Sequence, residues 1–346
     1  AIAAGWRRAR PDDELVLLPL SDGGEGLLEA LQAGPFADAE VRVADVADAA
    51  GLATDATWLL QDDVAVIESA EACGLASLRE DRRDPRRTTT WGVGQLLDAA
   101  REAGARRILV GLGGSATVDG GAGALSGLGF RLTVADGSGL KVGGEDLPRV
   151  TGAARTWVAD WDGVRVELLA DVRDPLLDAP RVYGPQKGAG PDDVAHLEAG
   201  LRALQGVLEG DLGVARALAS EPGAGAAGGL GYGLVAGLGA DLRVGATVVA
   251  ELVGLDAALA DADLVLTGEG RLDGTSTAGK VVGAVLERAA ARDVPVALVV
   301  GQVAADVDSP DVAIEPAAPD GPGENPAAEV ADAAARLGGR WGQPVR

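Results

Sequence analysis

The chain has 346 residues, 47% of them hydrophobic but only 3% aromatic, and it carries a formal charge of -23 with a pI near 4.4. That balance disfavours nucleic acid and anionic membrane as partners, both of which need clustered basic surface, and no stretch approaches the roughly 20 apolar residues of a membrane span. The length passes the roughly 250–300 residues at which one core stops growing, so two domains are expected, with Ala, Val and Leu packed closely around 52 glycines. One cysteine, Cys73, rules out an internal disulfide, and a soluble protein of the cytoplasm is the simplest expectation.

The opening, AIAAGWRRARPDD, reads as the middle of an amphipathic helix with neither a capping residue nor a secretory pattern. With no methionine anywhere in the chain, an upstream strand is expected to be missing. Three apolar runs then feed glycine- and acid-rich loops that lead into helix-like sequence: ELVLLPL (14–20) into SDGGEG and LLEAL, RRILV (106–110) into GLGGSATVDGG and AGALSGLG, DLVLTG (263–268) into EGRLDGTSTAGK and VVGAVLERAA. Short continuous apolar runs alternating with helices predict an α/β sheet of buried parallel strands with its loops at their carboxyl ends, and VPVALVVG (294–301) adds another such strand. Residues 40–70 and VRVELLADV (164–172) alternate with a period of two instead, which predicts antiparallel strands with one wetter face. PAAPDGPGENPAAE (316–329) reads as a loop before a terminal helix.

Only three of the thirty basic residues are lysines, and two of them, Lys187 in YGPQKGAG and Lys280 in TAGKVVG, sit in glycine-rich turns. Arginine supplies every other cation, so a retained ammonium points to a mobile phosphate, which a compact point charge follows better than a planar fork. Lys141, in GSGLKVGGEDL, reads as an ordinary turn residue. The Gly113, Gly114, Ser115, Thr117 turn offers free amides at the positive end of a helix dipole, with two hydroxyls beside them: an anion site. Carboxylates recur at similar loops: Asp22 and Glu25 flanking Gly23 and Gly24, Asp119, Asp171 and Asp174, Glu269 and Asp273. Acids beside anion-binding turns need a cation between them, as Mg²⁺ provides in phosphoryl transfer. Taken singly, each acid fits helix capping or turn chemistry as well.

Other patterns carry less. GTSTAGKV (274–281) matches a P-loop except that Val281 lacks the hydroxyl which should reach magnesium. GLGGSA (111–116), with Asp136 about 20 residues on, and GAGAAG (223–228) match the dinucleotide fingerprint, leaving an NAD(P)-dependent oxidoreductase as an alternative, beside a non-catalytic anion- or nucleotide-binding protein. His196 stands alone and cannot build a triad or a histidine metal cluster; Cys73 reads as packing.

Taken in order, SDGGEG, TTTWGVGQLL, GLGGSATVDGGAG, DVRDPL, YGPQKGAG, PGAGAAGGLGYG and TGEGRLDGTSTAGK resemble the bacterial type I glycerate kinases from about Pro19 to Lys280. The resemblance implies ATP- and Mg²⁺-dependent phosphorylation of D-glycerate to 2-phosphoglycerate, or to 3-phosphoglycerate in older naming. It also implies two α/β domains: a flavodoxin-like, doubly wound parallel sheet from residues 1–38 and 256–346, and an inserted mixed restriction-endonuclease-like domain from 39–255. A homodimer is left open. Family members usually begin with a strand and a lysine-bearing loop resembling APDSFKGS, absent here, and usually show Asn at Val118, Phe at Tyr183, Tyr at Trp91, Glu at Gln95 and Gln at Thr275. In this scheme the Gly113–Thr117 turn holds phosphate and Lys187 and Lys280 neutralise the transferred group. Glu269 and Asp273 hold Mg²⁺, Asp171 or Asp119 takes the hydroxyl proton, Arg271 forks onto the glycerate carboxylate, and Asp22, Gly23, Gly24, Glu25, Gly223 and Gly225 line the substrate and nucleotide loops.

Overall fold

The structure, a computed structural model, describes every residue except 275, 277–279, 305–311, 320, 322 and 342–346. The chain divides into two compact units, 21–248 and the pair of segments 1–20 and 249–346. Both are mixed α/β with parallel-rich sheets.

In the 21–248 unit a six-stranded sheet has the order β1-β2-β3-β4-β7-β8. Its strands are β1 (Glu40–Ala47), β2 (Ala53–Gln61), β3 (Val64–Glu68), β4 (Arg107–Gly111), β7 (Arg165–Ala170) and β8 (Asp241–Val244); β5 (Phe130–Val134) and β6 (Val150–Arg155) form a separate antiparallel pair. Strands β1, β2 and β3 pair antiparallel, whereas β3, β4, β7 and β8 run parallel. Alternate residues of the central strands enter one core: Ala65, Ile67, Ile108, Val110 and Leu168 join Val93, Leu96 and Leu97 of the helix Trp91–Glu102. On the opposite face the helix Leu27–Gln32 packs against β3, burying Leu27, Leu28 and Leu31.

The period-two reading of 164–172 is corrected by β7, a central parallel strand flanked by β4 and β8 and buried from Val166 onward. Its polar beat comes from Glu167, which is 1% exposed beneath Arg107, Arg165 and Arg243. Those guanidiniums hold its carboxyl below the usual range against the opposing effect of burial.

In the other unit, β9 (Val265–Thr267), β11 (Val296–Val300) and β13 (Ala313–Pro316) form a parallel sheet in the order β13-β11-β9, and β10 (Arg271–Leu272) pairs with β12 (Gln302–Val303). Strand β11 is buried on both faces. Val296, Leu298 and Val300 meet Val282, Val285 and Ala289 of the helix Val281–Ala290, while Ala297 and Val299 meet Trp6, Ala333, Ala334 and Leu337 of the helices Ile2–Ala9 and Pro326–Arg340. The expected strand at 14–20 does not form. Among the described residues that run pairs with no sheet edge; Leu15, Leu18 and Leu20 pack inward while Val16 and Leu17 stay exposed. An apolar run becomes a strand only where a neighbour can take its amides and carbonyls. Among the described residues, no helix is long and apolar enough to cross a membrane.

Candidate active site

Register places Glu68, Gly111 and Leu169 side by side at the carboxyl ends of β3, β4 and β7. In open α/β sheets this is the end where loops are free to hold ligands, and here they carry most of the expected residues. The 21–25 segment is pressed onto the turn after β4: Gly113 N donates to Gly23 O at 3.2 Å, and a Cβ on Gly113 would stand 2.4 Å from the Gly24 Cα. Only glycine permits that backbone contact. Asp22 Oδ1 accepts from Gly24 N at 3.1 Å, and Glu25 lies over Gly114. Beneath them Glu68, missed in the sequence, is 6% exposed and accepts from Leu28 N at 2.8 Å. Burial pushes its pKa up, and the charges of Glu29 and Glu71 add to the rise.

Lys187 reaches the same turn from the far side. Its side chain is buried, and Nζ donates to Ser115 Oγ at 2.9 Å and to Thr117 O at 2.8 Å. Burial pulls its pKa down to about 8, opposed by the charges of Cys73 and Asp119. The fully buried Cys73 thiol is pushed the other way, up to about 12, by burial and by Asp119.

Asp119 is completely buried, and every hydrogen bond to it comes from the framework. Its oxygens accept from Thr90 N (2.9 Å), Gly121 N (3.0 Å) and Gly123 N (3.2 Å) and meet Thr90 Oγ1 at 3.0 and 3.1 Å. Thr90 Oγ1 in turn accepts from Ala124 N at 2.9 Å. Burial raises the Asp119 pKa while those donors pull it back. Asp119 therefore ties TTTWG to the start of the helix Ala122–Gly127, a pairing across 29 residues that the sequence did not reveal.

The loop after β7 brings Asp171 and Asp174, both half-buried, to the same end. Tyr183 Oη donates to Asp174 in a short hydrogen bond, and the Tyr183 pKa is raised by burial, that bond, and the charges of Asp174 and Asp171. The Lys187 Nζ lies 6.0 Å from the Tyr183 ring centroid. Gly225 N donates to Asp174 O at 2.9 Å, and Gly223 adopts φ 90° close to Val172 O. Further on, a Cβ on Gly228 (φ 68°) would lie 1.9 Å from Thr117 O, the carbonyl that also receives Lys187. Thus Asp22, Gly23, Gly24, Glu25, Gly113, Gly114, Ser115, Thr117, Asp119, Asp171, Lys187, Gly223 and Gly225 all belong to the 21–248 unit.

The remaining expected residues form a second group in the other unit, around the loop after β9. Glu269 O accepts from Gly301 N at 3.0 Å, Arg271 is exposed, and Asp273 N donates to Ser276 Oγ at 2.9 Å. Lys280 is half-buried at the N-cap of Val281–Ala290. Thr275 lies outside the described residues. His196 Nε2 meets Glu145 O at 2.8 Å, and Lys141 is exposed.

This geometry has counterparts. The sequence profile of the glycerate kinase family matches residues 1–337. The chain belongs to the glycerate kinase family. It is 38% identical over 316 residues to a glycerate kinase of Halalkalibacterium halodurans, covering 88% of this chain and 80% of that protein. It is 37% identical over 319 residues to a glycerate 2-kinase of Escherichia coli, covering 89% and 81% respectively. A crystal structure of a Salmonella typhimurium protein assigned as glycerate kinase 2 superposes with a TM-score of 0.81 at 35% identity, over 97% of this chain and 91% of that one. An enzyme of this family is a phosphotransferase with an alcohol group as acceptor, which accounts for the Lys187 ammonium and the glycine amides gathered at the carboxyl end of β4.

Proposed function

We propose that the protein transfers the γ-phosphoryl group of ATP, with Mg²⁺, to the 2-hydroxyl of D-glycerate, giving 2-phosphoglycerate. The observation that carries this reading is Lys187: a buried ammonium fixed by Ser115 and Thr117 on a glycine turn at the carboxyl end of β4. Burying an unpaired cation is costly, and a developing phosphoryl charge is the kind of partner that offsets it. In this reading the amides from Gly113 to Thr117 cradle phosphate oxygens. The acceptor hydroxyl attacks phosphorus, its proton passes to Asp171, the bond to the bridging oxygen breaks and ADP departs. Asp119 positions the turn instead of taking the proton, because framework donors occupy its oxygens.

Among the described residues no three His, Cys, Asp or Glu side chains gather as a metal cage. Mg²⁺ does not need one, since it takes one or two protein carboxylates and completes its shell with phosphate oxygens and water. Glu269 and Asp273, four residues apart on either side of β10, fit that donor set, and the ion would neutralise charge on the phosphates. Lys280 and Arg271 of the same unit serve the nucleotide, and Asp22, Glu25, Gly223 and Gly225 shape the substrate loops. We assign the unit containing β9, β11 and β13 to the flavodoxin-like domain and the 21–248 unit to the inserted one. ADP release measured in a coupled assay tests the reading: it should require both D-glycerate and Mg²⁺ and vanish with EDTA. Release that ignores D-glycerate would refute it.

A further inference from the structure

Beside the Lys187 turn lies a cavity of about 610 Å³, lined by Arg83, Asp84, Arg86 and Arg87 together with Glu145, Gly188 and Asp193. Its three arginines are not equivalent. Arg86 is consumed by Glu145 at 2.8 Å and Asp193 at 3.1 Å, and Arg87, 85% exposed, sits 3.4 Å from Asp84. The Arg83 side chain makes no hydrogen bond or ion pair among the described residues, and its Nε is buried without a partner. A buried guanidinium Nε left unsatisfied in a chain with a charge of -23 is unusual, because an unpaired buried donor loses its hydration with nothing in return. The cavity is also joined firmly to the candidate active site. Gly188, at φ 101°, lies so close to the Arg83 carbonyl that a Cβ would stand 2.5 Å from it, and Gly188 follows Lys187 directly in the chain.

The lining specifies the ligand further. Arg83 calls for an anion with planar acceptor oxygens, while the carboxylates of Asp84 and Glu145 in the same lining repel a bare anion and accept from hydroxyls. A carboxylate with neighbouring hydroxyls meets both demands; inorganic phosphate at neutral pH meets the first and opposes the second. We propose that Arg83 binds the carboxylate of the small hydroxy acid acceptor, with Asp84 and Glu145 receiving its hydroxyl donors. This rests on the kinase reading above and gives to Arg83 the carboxylate contact that the family resemblance implied for Arg271.

Calorimetric titration of D-glycerate into the full chain, compared with Arg83→Met and Arg83→Lys, tests it. Arg83→Met should weaken D-glycerate binding by about 10- to 100-fold, as expected for losing a charge-assisted pair, and Arg83→Lys should recover part of the loss. ATP affinity should stay within about twofold and inorganic phosphate should bind more weakly than D-glycerate. Unchanged D-glycerate affinity in Arg83→Met would overturn the assignment. So would a matching loss of ATP affinity, which would mark a structural role, or a preference of the wild type for phosphate. Wild-type turnover of D-glycerate is read separately: its absence strikes the kinase reading, whereas the Arg83 comparison is a binding measurement and strikes only the subsite.

Discussion

Replacing Lys187 with Met separates what this residue does for stability from what it does for phosphate. Its pKa falls from an ordinary value of 10.5 to about 8, so holding the ammonium in place costs about 3 kcal/mol at neutral pH. Lys187→Met removes that cost but leaves the Thr117 carbonyl without its donor, a loss of about 1–3 kcal/mol. The two nearly cancel, so the variant should fold about as stably as wild type at pH 7. Turnover should fall by roughly 10²–10³, the usual consequence of losing one charge-stabilising donor. The pH dependence gives the sharper signature. Because the folded pKa is lowered, the unfolded chain holds more protons between pH 8 and 10.5, and wild-type stability rises with pH there; below pH 8 the full cost stands. Urea denaturation at pH 7.5, 8.5 and 9.5 should show wild type gaining relative to Lys187→Met by about 1–2 kcal/mol over that window. Parallel stability curves, or full turnover in the variant, would refute the reasoning.

Three further substitutions probe the framework and the chemistry. Thr90→Val deletes the hydroxyl between Asp119 and Ala124 N and should cost about 2–3 kcal/mol, read as a fall of several degrees in Tm, with Thr90→Ser restoring most of it. Gly228→Ala would drive a Cβ into Thr117 O at a positive φ; a loss above about 3 kcal/mol is expected, seen as insoluble expression or an early melting transition. Asp171→Asn should lower kcat by roughly 10²–10⁴ with KM values and Tm little changed, and a kcat within a few-fold of wild type would remove Asp171 from the proton transfer.

Much of this architecture was legible in the sequence because buried parallel strands announce themselves as apolar runs: Val296–Val300 and Arg107–Gly111 form where VPVALVVG and RRILV predict them. The same signal failed at 14–20, where composition was right and a neighbouring edge was lacking, since pairing is a property of two segments. It failed differently at β7, where Glu167 looked like a solvent-facing beat and is instead sealed by three arginines from three strands. The glycine loops and Lys187 stood out through composition, because a lysine in an arginine-rich chain is conspicuous. Asp119 was visible as an acid but not as a cap, for its partner Thr90 lies 29 residues upstream. Arg83 was invisible among so many arginines; a buried Nε left without a partner in the cavity lining sets it apart, and partners are assigned by the fold.

Transfer of phosphoryl to D-glycerate can be read from ³¹P NMR of the protein incubated with D-glycerate and MgATP. ADP should appear together with a phosphomonoester resonance split by one proton, as a phosphate on carbon 2 requires. A resonance split by two protons would place the phosphate on carbon 3 and contradict the proposed regiochemistry, and ADP with inorganic phosphate alone would contradict the kinase itself.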